Sequence, residues 1–202
     1  MESIWKRKRI VLPAVVAFVL FAAAFWYVND YYHSEDSVQD YMERDGLVSV
    51  TEIKDGLFID GPGEEDALVF YPGAKVEYTA YLPLMYELAS QGIDCFLIKM
   101  PCNLAFLGQN KAEKIMEEYS AAKDGTANTD SASPSMYEHW YLAGHSLGGA
   151  MAASYASKHL SELDGLVLLA AYPTSDIKSE EFSVVSIYGS EDGVLNMEKV
   201  EN

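Results

Sequence analysis

The stretch that most constrains this chain is Trp140-Tyr141-Leu142-Ala143-Gly144-His145-Ser146-Leu147-Gly148-Gly149-Ala150-Met151. It reads as a short apolar strand, a G-x-S-x-G turn and a helix of small residues, the context that gives so short a motif its meaning. A serine hydroxyl is a weak nucleophile unless held at a fixed angle beside a base and an oxyanion site. A sharp strand-to-helix turn holds Ser146 in a strained conformation, and Gly144 and Gly148 leave room for backbones to approach. Leu147 N–H then stands at a helix N-terminus, ready to donate to a developing negative charge. The plainer alternative is a glycine-rich turn before an ordinary helix. The strand before and Gly149-Ala150 after favour Ser146 as a nucleophile.

The N-terminus sets location. Lys6-Arg7-Lys8-Arg9 precedes residues 10–28, a run without a charged residue that closes on Trp26 and Tyr27. About 20 apolar residues span a bilayer, with basic residues on the cytoplasmic side and aromatic residues at the boundary. Pro13 is tolerable in a membrane helix. A cleaved signal peptide is the rival, because Ala22-x-Ala24 resembles a cleavage site. The length of the run and its aromatic end favour an uncleaved signal anchor. Residues 1–9 are thus expected to be a cytoplasmic tail, 10–28 a single transmembrane anchor, 29–46 a juxtamembrane linker, and 47–202 a domain outside the cytoplasm.

That domain is acidic. The chain carries 14 basic and 31 acidic residues; without residues 1–9, which hold four basic and one acidic, 10 basic stand against 30 acidic, a net of −20. Such a surface repels nucleic acid and anionic head groups. The two cysteines form no disulfide framework. Cys95 sits in an apolar strand pattern and Cys102 in a loop after Pro101, so a bridge between them is disfavoured.

Along the linker, Ser34 is placed to cap a short helix through Arg44, with Val38, Tyr41 and Met42 on one face. Strands are expected at 47–53 and 57–60, joined by the hairpin signal Lys54-Asp55-Gly56, and at 67–71, 93–100, 140–143, 165–171 and 184–188. Helical spacing marks 79–91, ending at Gly92. A further helix opens at Asn110 with Glu113 three residues on, a capping-box pattern, and another covers 147–159. Residues 120–136 are small and polar and read as a mobile surface loop. After the opening hairpin, strands and helices alternate, which implies an α/β fold with a mostly parallel sheet covered on both faces.

This order, with the elbow after the fifth strand, resembles the α/β-hydrolase fold. Val69-Phe70-Tyr71-Pro72-Gly73-Ala74-Lys75-Val76-Glu77, Lys99-Met100-Pro101-Cys102-Asn103-Leu104-Ala105-Phe106, residues 144–151 and Tyr188-Gly189-Ser190-Glu191-Asp192-Gly193 are similar to a small, lid-poor bacterial branch related to dienelactone hydrolases and carboxylesterases. The likeness spans residues 46–200. It implies a Ser-Asp-His hydrolase and leaves the substrate open. By the match, Pro72-Gly73-Ala74 occupies the place of the oxyanion turn. Ala74 N–H is then the second donor beside Leu147, with Lys75 as runner-up. Lys75 and Glu77 otherwise read as solvated, or Lys75 as a partner for an anionic group of the substrate. The acid in this fold follows a late strand, which points to Asp192, with Asp176 as the alternative.

The base is the difficulty. No histidine follows Asp192; His145 lies inside the elbow, His159 lies 13 residues along, His139 precedes the nucleophile strand, and His33 is near the membrane. The resemblance therefore implies an incomplete domain, short of a helix, a last strand, the histidine loop and a final helix, about 40–60 residues by ordinary element lengths. The 202-residue chain is accordingly expected to be inactive. The reading for the parent protein is a membrane-tethered esterase-like serine hydrolase acting on a small-molecule ester or related acyl substrate, with no metal or organic cofactor implied. Thioesterase, peptidase and acyltransferase chemistry share the same elbow. The rival class is a non-catalytic, membrane-anchored binding protein that keeps the scaffold. Nothing in the sequence sets an oligomeric state.

Overall fold

The computed structural model describes residues 2–44, 46–121, 137–173, 177 and 182–193. The expected loop at 120–136 falls almost wholly outside them, and so does Asp176. Helix α1 (Glu2–Asn29) runs through Pro13 without interruption and includes the basic cluster. Its segment Val11–Asn29 is long and apolar enough to cross a membrane. Asn29 closes it, donating from Nδ2 to Phe25 O at 2.7 Å.

The linker departs from expectation. Ser34 caps nothing: a single 3-10 turn (Asp36–Val38) and a short helix α2 (Gln39–Met42) follow Glu35, and the helix stops before Arg44. Ser34 is occupied elsewhere, its N–H donating to Glu77 Oε2 at 3.0 Å. The apolar face was legible, since Val38 is buried with Tyr41 and Met42 packed beside it.

Strands β1 (Ser49–Ile53), β2 (Gly56–Asp60), β3 (Asp66–Tyr71), β4 (Ile93–Ile98), β5 (His139–His145), β6 (Gly165–Leu169) and β7 (Ser183–Ile187) form one sheet in the order β1-β2-β4-β3-β5-β6-β7. The β1–β2 and β2–β4 pairs are antiparallel, and every later pair is parallel. Alternation along β3 separates the two cores. Ala67, Val69 and Tyr71 face one side, with Phe96, Leu142 and the residues of helices α4 (Lys111–Ala121) and α5 (Leu147–Ala156). Leu68 and Phe70 face the other, with Leu57, Ile59 and helix α3 (Leu82–Ser90). A strand buried on both faces needs a continuous apolar run, which Ala67-Leu68-Val69-Phe70-Tyr71 supplies. The sheet's outer edge differs: Val184, Val185 and Ile187 on β7 are exposed.

Among the described residues, the buried Tyr155 Oη has no hydrogen-bond partner, whereas the buried acid is matched. Asp94 is the buried carboxylate, accepting Gly61 N–H at 2.7 Å and Tyr137 O–H at 2.8 Å. The start of α4, where the capping-box pattern of Asn110 and Glu113 lies, is also held from β3. Tyr71 donates to Gln109 O at 2.6 Å and accepts Ala112 N–H at 2.8 Å, so β3 itself anchors the start of α4. Helix α5 ends at Ala156, short of His159. Both cysteines are free, Cys95 buried and Cys102 exposed.

Asp94→Ala is expected to cost about 1–3 kcal/mol, because it strands two buried donors; a denaturant midpoint measures it. Burial raises the Asp94 carboxyl above its ordinary value against the two hydrogen bonds. The native state therefore keeps this proton to higher pH than the unfolded chain. Its contribution to stability falls as pH rises through that range, and Asp94→Asn should abolish that part of the pH profile.

Candidate active site

β5 delivers Ser146 at the C-terminal end of the sheet's central strands. Its backbone is turned sharply, φ 51° and ψ −120°, and α5 begins at the next residue. Ser146 N–H donates to Leu169 O at 2.9 Å, which ties the turn to β6. A non-glycine residue in this region stores strain, tolerated only where the surroundings fix it. The surroundings here are glycines in close approach. A Cβ on Gly144 would lie 2.5 Å from Gly148 C, and one on Gly148 would lie 2.2 Å from Tyr71 O and 2.3 Å from Pro72 O. The N-terminus of α5 is thus pressed onto the end of β3 and the turn that follows it.

That turn is residues 72–75. Gly73 N–H is taken by Tyr81 Oη at 3.1 Å, and Lys75 N–H by Asn103 O at 2.9 Å. The runner-up donor is therefore occupied. Among the described residues, neither Ala74 N–H nor Leu147 N–H has a backbone acceptor. Lys75 has φ 57° and is engaged at its far end too, Nζ donating to Asp30 Oδ2 at 2.8 Å. It is neither a solvated lysine nor an open cation for a substrate.

His145, inside the elbow, has a definite place in the structure. Its Nδ1 lies 2.9 Å from Tyr81 Oη, the atom that accepts Gly73 N–H. Burial lowers its imidazole below the ordinary histidine value, with the Asp192 charge acting in the opposite direction. A neutral ring that accepts the Tyr81 proton at Nδ1 satisfies both groups. The signal was a tyrosine at the start of the 79–91 helical pattern, but nothing local pairs it with residue 145.

His145, Leu169 and Ile187 lie in register across β5, β6 and β7. Asp192 therefore leaves the sheet at the same end as Ser146, its N–H donating to Gly189 O at 3.1 Å. The other histidines are elsewhere. His139, at the opposite end of β5, lies 3.2 Å from Asp164 Oδ1, and that hydrogen bond raises its pKa. His159 stacks on Tyr155 with ring centroids 4.1 Å apart, and His33 approaches Glu77 at 3.4 Å.

Residues 67–202 match the model of the α/β hydrolase family. The chain belongs to that family. Two solved structures show the same fold. The protein TT1662 of Thermus thermophilus is 13% identical with a TM-score of 0.57, over 76% of this chain and 80% of its own. A dienelactone-hydrolase-like promiscuous phosphotriesterase from metagenomic libraries is 15% identical with a TM-score of 0.51, over 77% and 74%. No curated protein sequence matches. For a member of the α/β hydrolase family, the strained serine after a central strand is the feature on which a site is built.

Glycine reaches positive φ without the steric cost borne by other residues. Ser146→Gly is therefore expected to be more stable than Ser146→Ala, by about 1–3 kcal/mol. Equal denaturant midpoints for the two would show that the turn carries no strain.

Proposed function

We propose that the protein is a membrane-tethered serine hydrolase whose domain lies outside the cytoplasm and acts on carboxylic esters or related acyl compounds. The observation that carries this is Ser146 at φ 51° and ψ −120° between β5 and α5. Ser146 Oγ forms a bond to the acyl carbon, while Leu147 N–H and Ala74 N–H stabilise the negative charge on the carbonyl oxygen. The C–O bond to the alcohol breaks, and the alcohol leaves with the serine's proton. Water then cleaves the acyl-serine, releasing the carboxylic acid. Asp192 orients and stabilises an imidazole that shuttles the proton. Among the described histidines, His145 has its Nδ1 held 2.9 Å from Tyr81 Oη, while His139, His159 and His33 lie against Asp164, Tyr155 and Glu77, so this role is assigned to none of them. A second reading is a binding protein that keeps the scaffold without the chemistry.

The two readings part on reactivity. A protein carrying the triad histidine should react with a fluorophosphonate and hydrolyse short p-nitrophenyl esters, and Ser146→Ala should abolish both. Absence of labelling in the folded, histidine-bearing protein would establish the binding reading.

Topology is tested separately. Protease added outside intact cells should remove the domain and leave a membrane stub. A soluble mature form beginning near Phe25 would instead mean a cleaved signal peptide.

A further inference from the structure

Helix α1 ends against the catalytic face. Three residues after it, Tyr32 pairs in parallel with Val76: Tyr32 N–H donates to Lys75 O and Glu77 N–H to Tyr32 O, each at 2.8 Å. Side chains repeat the join. Lys75 Nζ bonds Asp30 and stands 4.6 Å from the centroid of the Tyr27 ring, the last aromatic of the apolar helix. Thr79 Oγ1 donates to Ser34 Oγ at 3.0 Å. The oxyanion turn is thus fastened to the helix end, and a flexible tether would not have oriented the domain in this way.

The next loop extends the same rim. Lys75 N–H reaches Asn103 O at 2.9 Å, and the turn Pro101–Asn103 lies against α1. The following turn, Ala105–Leu107, packs on α5 and leaves Phe106 and Leu107 more than half exposed, at 53% and 51%. Two large apolar side chains on a strongly acidic domain, beside the exit of an apolar helix, fit a lipid interface better than water.

We infer that the bilayer surface borders the mouth of the Ser146 cleft, and that the substrate is an acyl ester of a membrane-resident amphiphile entering past Phe106 and Leu107. This rests on the serine-hydrolase reading above. The reaction is the one already written, with the ester's apolar portion remaining in or returning to the membrane.

One arm of the test needs no catalysis. Cys102 is exposed and Cys95 buried, so a polarity-sensitive thiol dye labels the loop in the unmodified chain, reconstituted in phosphatidylcholine vesicles. A blue-shifted emission quenched by nitroxide-headgroup lipid is expected. Both effects should be lost when a long Gly-Ser insertion between Val28 and Asn29 lifts the domain. The second arm uses the protein with its triad histidine and compares a long-chain ester held in the vesicles with p-nitrophenyl acetate. Phe106→Ser with Leu107→Ser should lower turnover of the vesicle ester about tenfold, since burying even one such side chain is worth that factor, and leave the soluble ester unchanged. An unquenched dye, no hydrolysis of the vesicle ester, or an equal loss on both esters overturns the inference while the Ser146 reading stands. Failure to hydrolyse p-nitrophenyl acetate, with no fluorophosphonate labelling, overturns that reading and the inference with it.

Discussion

The site depends on one close contact, that of Gly148 with the carbonyls of Tyr71 and Pro72. A single added carbon at residue 148 would fall 2.2 Å from one and 2.3 Å from the other, so α5 can approach β3 this closely only without a side chain there. The approach places the start of α5 beside the turn after β3. It also forces the path of Ser146. The chain must reverse within one residue to bring the helix back over the sheet, and φ 51° is the result. Packing of the α5 face, with Ala152, Ala153, Tyr155 and Ala156 buried against Leu142 and Leu168, supplies the stabilisation that offsets this local cost.

Strain follows the same edge of the sheet. Among the described residues, the non-glycine positions with positive φ are Lys75, Cys102, Asn103, Ser146 and Ala170. They follow the C-terminal ends of β3, β4, β5 and β6 in turn. Parallel strands deliver their loops to one end, and loops at that end of an α/β sheet carry ligand sites. The opposite end, where His139 meets Asp164, shows none of these conformations among the described residues.

The sheet was legible because its signals are local. Ala67-Leu68-Val69-Phe70-Tyr71 is apolar throughout because both faces are covered, and Lys54-Asp55 turns a hairpin whose register pairs Ile53 with Gly56. The elbow was legible because its residue types are dictated by sterics at adjacent positions. Long-range partners were not. Ser34 looked like a cap because serine accepts helical N–H groups, yet its partners are Glu77 and Thr79, more than 40 residues on. Asn110 and Glu113 show the spacing of a box, but nothing near them in sequence signals that Ala112 N–H donates to Tyr71 Oη. For His145, a place inside the elbow says only that the side chain points away from the nucleophile. Its role emerges only because the order β4-β3-β5 brings the turn after β3 against the end of β5.

The same logic explains how one amide in the turn after β3 is singled out. Gly73 N–H is bonded to Tyr81, itself held by His145, and Lys75 N–H is bonded to Asn103. The peptides before and after the one that carries Ala74 N–H are thereby fixed by groups from α3's approach, β5 and the loop after β4. Lys75 is then clamped a second time, its carbonyl by Tyr32 and its ammonium by Asp30. A left-handed lysine at φ 57° is costly alone, and these three attachments over-determine it. Two of the three come from the segment that follows the apolar helix. Residues 30–34 are therefore more than a tether: they form part of the support that holds the turn after β3 in shape, so loosening them should disturb the turn itself before it disturbs the sheet.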